Sequence, residues 1–136
     1  MKRVFIKGGK IVNSKESFVA DILIEDEKIS KIFKNGEEIK LDEGTKVVDA
    51  SGKLIFPGFI DAHTHFDLHV AGTVTCDDFY SGTKAAISGG TTTIIDFGTQ
   101  YKGETLNEGM DNWLNKAKDG VFCDYGIHMS ISDWNE

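Results

Sequence analysis

The first third of the chain consists of short apolar stretches separated by turn residues. Apolar and polar residues alternate within the stretches, which is typical of β-strands with one buried face. The pattern predicts tight hairpin connections at Gly8-Gly9 and at residues 25–27, and a further turn at residues 34–37. The predicted strands cover residues 4–6, 10–12, 18–24, 28–33, 46–50 and 53–56. This part of the sequence therefore favours a small β-rich module.

The pattern changes after Pro57, the only proline in the chain. Beyond it, apolar strands alternate with segments of helical period. The predicted strands cover residues 59–63, 92–97 and 124–129, so their first residues are 33 and then 32 positions apart. Such a repeat predicts successive βα units of a parallel sheet.

The first predicted helix covers residues 77–88. Thr75 and Asp78 have the spacing of a capping box, which predicts the helix start. Gly89-Gly90 predicts its end, because glycine readily adopts the backbone conformation that closes a helix.

The second predicted helix is the most regular segment of the sequence. Thr105 and Glu108 have capping-box spacing at its start, and Asp119-Gly120 is expected to end it. Its apolar positions recur at helical period: Leu106, Met110, Trp113, Leu114 and Ala117.

The predicted strands are too few for a closed (β/α) barrel, which needs eight strands and about 250 residues. Three strands with two helices leave an open sheet edge and an uncovered apolar face. We therefore expect the 136 residues to be a piece of a larger protein. The alternative is a small, complete three-stranded α/β domain.

Composition and charge exclude several classes of protein. The chain is 40% hydrophobic and 27% charged, which is typical of a globular protein. Its net charge of -7, without clustered basic residues, argues against nucleic acid or an anionic membrane as a partner. There is no apolar run of signal-peptide or membrane-span length, so we expect a cytoplasmic protein. Cys76 and Cys123 lack metal-motif spacing and are expected to be buried free thiols.

His63 and His65 are the main candidates for chemistry. Residues at i and i+2 of a strand point the same way, so the two imidazoles can bind one cation from the same side. They follow residues 57–61, expected to form a buried strand, and precede residues 67–74, a polar loop expected to line a pocket. Barrel enzymes place their active sites at this end of the strands. The alternative is a pair of surface or packing histidines.

Three carboxylates are candidates for supporting this pair. Asp61 and Asp96 lie within predicted strands, where they either orient the histidines or bind the loop backbone. Asp67 either shapes the pocket loop or is a solvated turn residue. His69 is interpreted as a loop residue and His128 as a packing residue, rather than as metal ligands.

Residues 57–65, Pro-Gly-Phe-Ile-Asp-Ala-His-Thr-His, resemble the first-strand signature of the amidohydrolase superfamily. Within it the chain is similar to dihydropyrimidinases and D-hydantoinases at residues 63–67, 72–75, 77–79, 89–92, 95–97 and 124–128. The resemblance covers essentially the whole chain. It implies an α/β fold in which residues 1–56 are the N-terminal part of a small β-sandwich domain. Residues 57–136 are then the first three strands and two helices of an incomplete (β/α)8 TIM-type barrel.

Two features separate the chain from neighbouring branches of the superfamily. Dihydroorotases and allantoinases typically carry an arginine shortly after the histidine pair, and residues 66–73 contain none. Non-catalytic relatives of the collapsin-response type lack the histidine pair, which this chain has. His69 departs from the pattern, since relatives usually have proline there.

The resemblance implies hydrolysis of the ring amide C–N bond of dihydropyrimidines or 5-substituted hydantoins to N-carbamoyl amino acids. It implies two divalent ions, usually zinc, bridged by a carboxylated lysine and a hydroxide, with His63 and His65 holding one ion. The lysine, two more histidines and a proton-shuttling aspartate are implied beyond residue 136, in a protein that forms homotetramers. The alternative is a truncated homologue or interaction fragment without activity.

Overall fold

The chain divides into two compact units, Met1–Pro57 and Gly58–Glu136. The computed structural model of the protein describes residues 2–34, 37, 39–118 and 120–134. Each unit has its own sheet and is described by itself. The assignment of residues 1–56 to a β-sandwich domain and of residues 57–136 to a barrel stays a prediction.

The first unit is built on a five-stranded mixed sheet. Its strands are β1 (Arg3–Val12), β2 (Ser17–Glu25), β3 (Lys28–Lys34), β4 (Lys46–Asp49) and β5 (Leu54–Ile55). β1 pairs antiparallel with β2, which pairs antiparallel with β3. The opposite edge of β1 pairs in parallel with β4 in its first half and with β5 in its second half. A cluster of apolar side chains lies against this sheet: Ile6, Ile11, Phe18, Ala20, Ile22, Ile24 and Ile55.

The prediction of a hairpin turn at Gly8-Gly9 is wrong, because β1 continues through both residues. The register with β2 shifts between Ile6 and Gly9, which is a β-bulge. Gly8 has a φ of 72° and donates its backbone N–H to Asp21 Oδ1 at 2.7 Å. The glycine pair therefore bends one strand instead of ending it.

The other predicted turns of this unit have different outcomes. The hairpin at residues 25–27 is confirmed, since β2 and β3 are joined through Asp26 and Glu27, with Asp26 at a φ of 55°. The turn at residues 34–37 includes Asn35 and Gly36, which lie outside the described residues.

The second unit contains a three-stranded parallel sheet of order β10-β9-β6. The strands are β6 (Phe59–Thr64), β9 (Thr91–Thr99) and β10 (Asp124–Ser130), and they alternate with α1 (Phe79–Ser88) and α2 (Leu106–Ala117). The prediction of successive parallel βα units is confirmed. Both helices pack on the sheet face that carries Ile94, where the core consists of Phe66, Phe79, Ile94, Trp113 and Ala117.

Helix α1 begins with a different cap from the predicted one. Asp78 is the N-cap residue, and its side chain accepts the backbone N–H of Ser81 at 2.7 Å. The Ser81 hydroxyl accepts the backbone N–H of Asp78 in return. The predicted Thr75–Asp78 box is wrong, because the Thr75 hydroxyl accepts the N–H of Leu68. The predicted end is confirmed, with Gly89 as C-cap.

Helix α2 begins as predicted, with the reciprocal Thr105–Glu108 capping box. Trp113 and Ala117 are buried on its inner face, while Leu106 and Leu114 at the margins of the apolar stripe are about two-fifths exposed. The predicted end at Asp119-Gly120 involves Asp119, which lies outside the described residues. Neither helix in the described part of the chain has the length and hydropathy needed to traverse a bilayer.

Two expectations about exposure are wrong. The strand around Phe59 and Ile60 is exposed, because β6 is an edge strand with β9 as its neighbour among the described residues. The loop predicted at residues 67–74 contains a small antiparallel hairpin, β7 (His69–Val70) and β8 (Thr73–Val74). Cys76 is exposed and not buried, whereas Cys123 is partly buried.

Candidate metal centre

The structure brings the two candidate histidines together at the carboxyl end of β6. The Nε2 atoms of His63 and His65 are 3.1 Å apart, and the ring centroids are 4.9 Å apart. Both side chains are exposed. Each ring therefore presents Nε2 toward the same point in space.

This arrangement fits two ligands of one metal ion. Zinc–nitrogen bonds are about 2.0–2.1 Å long, so two nitrogens on a tetrahedral zinc lie roughly 3.3–3.4 Å apart. The 3.1 Å separation is close to this value. No group of three or more His, Cys, Asp or Glu side chains within the described ranges is placed to hold a metal. The described residues thus bring together two candidate ligands.

A β-bulge in β6 sets which side chains share a face with the histidines. Asp61 pairs with Ile94 and Thr64 pairs with Asp96, so three steps along β6 match two steps along β9. Asp61 and Thr64 consequently lie on the side of Ile94, where they line one cleft against α1. His63 and His65 point to the opposite side. Bulges re-aim side chains in this way near active sites.

Phe97 of β9 lies beneath both histidine rings. Its ring centroid is 4.4 Å from that of His63 and 5.5 Å from that of His65. On the neighbouring strand, the His128 ring contacts the same Phe97 ring, with the two centroids 5.0 Å apart and the planes tilted by 44°. This contact is consistent with the interpretation of His128 as a packing residue. Phe97 forms an apolar floor that limits the orientations available to the pair.

Asp96 is fully buried on the helix-covered side of β9. Its Oδ1 accepts hydrogen bonds from the Thr64 hydroxyl at 2.8 Å and from the backbone N–H of Phe66 at 3.0 Å. Burial raises the pKa of the Asp96 carboxyl. The two hydrogen bonds oppose this rise, and so do the nearby side chains of His65 and Lys116. Oδ2 is also buried and has no hydrogen-bond partner among the described residues. Asp96 therefore contacts the residues on both sides of His65, but not its ring.

The other two candidate carboxylates bind backbone or a helix residue. Asp61 Oδ1 accepts the backbone N–H of His63 at 3.2 Å. Asp67 Oδ2 forms an ion pair with Lys116 Nζ at 2.9 Å, and the Asp67 carbonyl accepts from the same nitrogen at 3.0 Å. Asp67 holds a φ of 48°, an uncommon conformation for a residue with a side chain. Lys116 fixes this turn directly after the histidine pair.

His69 lies away from the pair, on the β7–β8 hairpin. It is exposed and lines a shallow depression formed by residues 69–74. His63 and His65 are not among the residues that line this depression. Within the described ranges, His69 forms no metal-binding group with the pair.

Comparison with known proteins decides the family. Residues 54–133, more than half of the chain, match the profile described as "Amidohydrolase family". The chain belongs to this family. Its signature segment, residues 57–65, lies within the matched region.

This amidohydrolase chain is similar to much longer proteins. It is 48% identical over 133 residues to a dihydropyrimidinase of Dictyostelium discoideum, covering 98% of the chain and 26% of that protein. It is 50% identical over 128 residues to a D-hydantoinase of Geobacillus stearothermophilus, covering 94% of the chain and 26% of that protein. A D-hydantoinase crystal structure superposes with a TM-score of 0.88 at 48% identity, over 98% of the chain and 28% of that structure. The chain spans about a quarter of these relatives.

Sequence reasoning missed three residues around the amidohydrolase histidine pair. Phe97 was expected only as part of an apolar strand, and Thr64 only as the spacer between the histidines. Lys116 resembles any other helix lysine in the sequence, although its position three residues after Trp113 places it over that ring at 4.1 Å. Pairing Thr64 with Asp96 requires the register of two strands 32 residues apart, and a single sequence carries no signal for that register.

Proposed function

We propose that this chain provides the His63/His65 part of a divalent-metal site in a cyclic amidohydrolase. The 3.1 Å separation of the two Nε2 atoms at the carboxyl end of a parallel strand carries the proposal. The substrates are cyclic amides or ureides, either dihydropyrimidines or 5-substituted hydantoins, opened at the ring amide C–N bond to N-carbamoyl amino acids. The dihydropyrimidinase and D-hydantoinase names of the relatives support this class.

The proposed architecture places residues 57–136 in a (β/α)8 TIM-type barrel and residues 1–56 in the N-terminal part of a β-sandwich domain. The parallel β6–β9–β10 sheet, with a helix after each of its first two strands, supports the barrel. The mixed five-stranded sheet of the first unit supports a separate β domain.

The proposed ions are zinc, two per site, bridged by a carboxylated lysine from residues other than the described ones. When bound, such metals lower the pKa of a water molecule to give a nucleophile and polarise the attacked carbonyl. The residues of this chain perform a different task. His63 and His65 would hold an ion through their Nε2 atoms, and Phe97 confines both rings from one side.

The partners follow from the same proposal. We infer a small-molecule substrate and no nucleic-acid or membrane partner, in keeping with the net charge of -7 and the absence of a basic cluster in the sequence. Assembly into a homotetramer and the cytoplasmic location stay predictions.

A metal titration tests the histidine pair. We expect His63→Ala or His65→Ala to weaken zinc binding by at least about tenfold, because either change removes one of the two ligands. His69→Ala is the matched control, since His69 is an exposed histidine of the same unit outside the pair. Competition with a chromophoric zinc indicator measures the affinities. Equal affinities of His63→Ala and the unaltered protein would remove the proposed site.

A further inference from the structure

We propose that Asp96 is a positioning residue for this metal site and sets the place of His65 through Thr64 and Phe66. The inference rests on the proposed function for its metal-binding consequence. Its structural basis, the bracket that one buried oxygen forms around His65, stands on contacts within the chain.

The bracket consists of two hydrogen bonds to the same atom. Asp96 Oδ1 holds the Thr64 hydroxyl at 2.8 Å and the Phe66 N–H at 3.0 Å, so the residues before and after His65 are both fixed. Strand pairing alone does not fix Phe66, the residue after His65, because the pairing between β6 and β9 ends at Thr64 and Asp96. The side chain of Asp96 thus extends the connection between the strands past the last ladder position.

Neighbouring contacts make the bracketed segment rigid at its far end. The Phe66 ring is buried against α1, where a Cβ on Gly82 would lie 2.2 Å from it. Lys116 holds both the carbonyl and the carboxylate of Asp67. His65 is therefore the exposed residue of a segment whose other members are tied to β9, α1 and α2.

Stability alone does not account for a carboxylate at this position. Burying an ionisable group with one oxygen unsatisfied is costly, and Asp96 Oδ2 has no partner among the described residues. Asp96 Oδ1 accepts two hydrogen bonds at once, because a carboxyl oxygen has two lone pairs, and this provides what the segment needs. Carboxylates that orient metal-binding histidines indirectly are common around metal sites.

Two kinds of variant test the bracket without altering a histidine. Asp96→Ala removes it entirely, and Thr64→Val removes one arm while keeping the side-chain shape. Thr64→Ser keeps the hydroxyl and should restore the arm. Thr83→Val is the matched control, because Thr83 is another buried threonine of the same unit, whose hydroxyl binds Phe79 and Phe122.

The first measurement needs no metal. In NMR spectra of the full natural chain that contains this sequence, the unaltered protein should show contacts between the His65 and Phe97 rings. We expect Thr64→Val and Asp96→Ala to weaken them, and Thr64→Ser and Thr83→Val to retain them. If Asp96→Ala fails to fold, the comparison of Thr64→Val with Thr64→Ser tests the positioning role. Unchanged ring contacts in Thr64→Val, or in a folded Asp96→Ala, would overturn the positioning role whether or not the protein binds metal.

The second measurement is the Co²⁺ affinity and absorption spectrum of the same proteins. We expect Thr64→Val and Asp96→Ala to weaken affinity about 10- to 100-fold and to change the Co²⁺ bands, with Thr64→Ser and Thr83→Val like the unaltered protein. An equal loss of Co²⁺ affinity in Thr83→Val would mean that the variants destabilise the protein in general, and this would overturn the inference. If the unaltered protein binds no Co²⁺ or zinc while the ring contacts respond as expected, the proposed function fails and the bracket remains.

Discussion

At the scale of single residues, the second unit depends on a glycine where helix α1 touches an aromatic ring. Gly82 is buried, and a Cβ at this position would lie 2.2 Å from the Phe66 ring. The ring itself is only 9% exposed, so it has little room to move away. Phe66 is also the residue whose N–H binds Asp96, which links this close contact to the candidate metal centre.

Gly82→Ala should therefore destabilise the protein although alanine is the better helix former. Alanine gains about 1 kcal/mol of helix propensity. Overpacking costs about 1–3 kcal/mol, and the very short contact places this site at the upper end of that range. We therefore expect the free energy of unfolding to fall. Urea unfolding measures it. Gly89→Ala is the control, since its nearest atom would be 3.5 Å away. A stabilised Gly82→Ala variant would contradict this packing argument.

At the scale of secondary structure elements, local signals predicted helices better than strand details. Thr105 and Glu108 predicted the start of α2 correctly because both partners of a capping box lie within one turn of the chain. The same reasoning predicted Thr75 as the cap of α1, but the cap is Asp78. The Thr75 hydroxyl is not free for capping, because it accepts the N–H of Leu68 across the β7–β8 hairpin. That hairpin is itself only two residues long on each side. Competition from such a nonlocal partner is invisible in a single sequence.

The strands show the same limit. Parallel βα units were predictable from the spacing of the apolar runs, but the bulges at Gly8 and in β6 were not. A bulge exists only relative to a partner strand, so its signal is divided between distant segments. The histidine pair was predictable from its i, i+2 spacing. Its supports, Thr64 and Phe97, were not, because they depend on the register of β6 against β9.

The cap of α1 gives a prediction for acid conditions. Hydrogen bonds from Ser81 lower the pKa of the Asp78 carboxyl below its unfolded value. The ionised cap therefore stabilises the fold fully above the unfolded pKa, and this contribution is lost as pH falls through the lowered folded pKa. Asp78→Asn keeps an N-cap acceptor without this titration.

We expect the Tm of the unaltered protein to exceed that of Asp78→Asn near neutral pH, and the difference to shrink in acid. Thermal unfolding followed by circular dichroism at several pH values measures it. A difference that stays constant from neutral to strongly acidic pH would show that the ionised form of Asp78 does not contribute.

At the scale of the whole molecule, the described residues bring two candidate ligands together, and they contain no group of three or more His, Cys, Asp or Glu side chains that could hold a metal. The chain spans about a quarter of the length of its dihydropyrimidinase and D-hydantoinase relatives. The match over residues 54–133 shows membership of the amidohydrolase family, while catalysis at the proposed two-metal site would need groups that two histidines do not replace.

The 136-residue chain by itself should turn over neither dihydrouracil nor phenylhydantoin, with or without added zinc. The physical reason is that His63 and His65 provide neither a second metal position nor a bridging ligand. Product formation measured by chromatography tests this, with His63→Ala as the control for metal-dependent turnover. Zinc-dependent activity that disappears in His63→Ala would contradict the prediction and show that two ligands suffice.

The extra residue in β6 acts as a half-period phase shift along the strand. After it, even-numbered positions such as Thr64 and Phe66 face the helices, whereas before it the odd-numbered Asp61 does. A mutational scan read with simple alternation would therefore assign Asp61 to the side of the histidines. Removing Ala62 would leave two steps on each strand between these pairs, so plain alternation would then keep both imidazoles on their present side and Asp61 on the side of the helices. The bulge is therefore the reason that Asp61 and His63, two positions apart in the sequence, face opposite sides of the sheet.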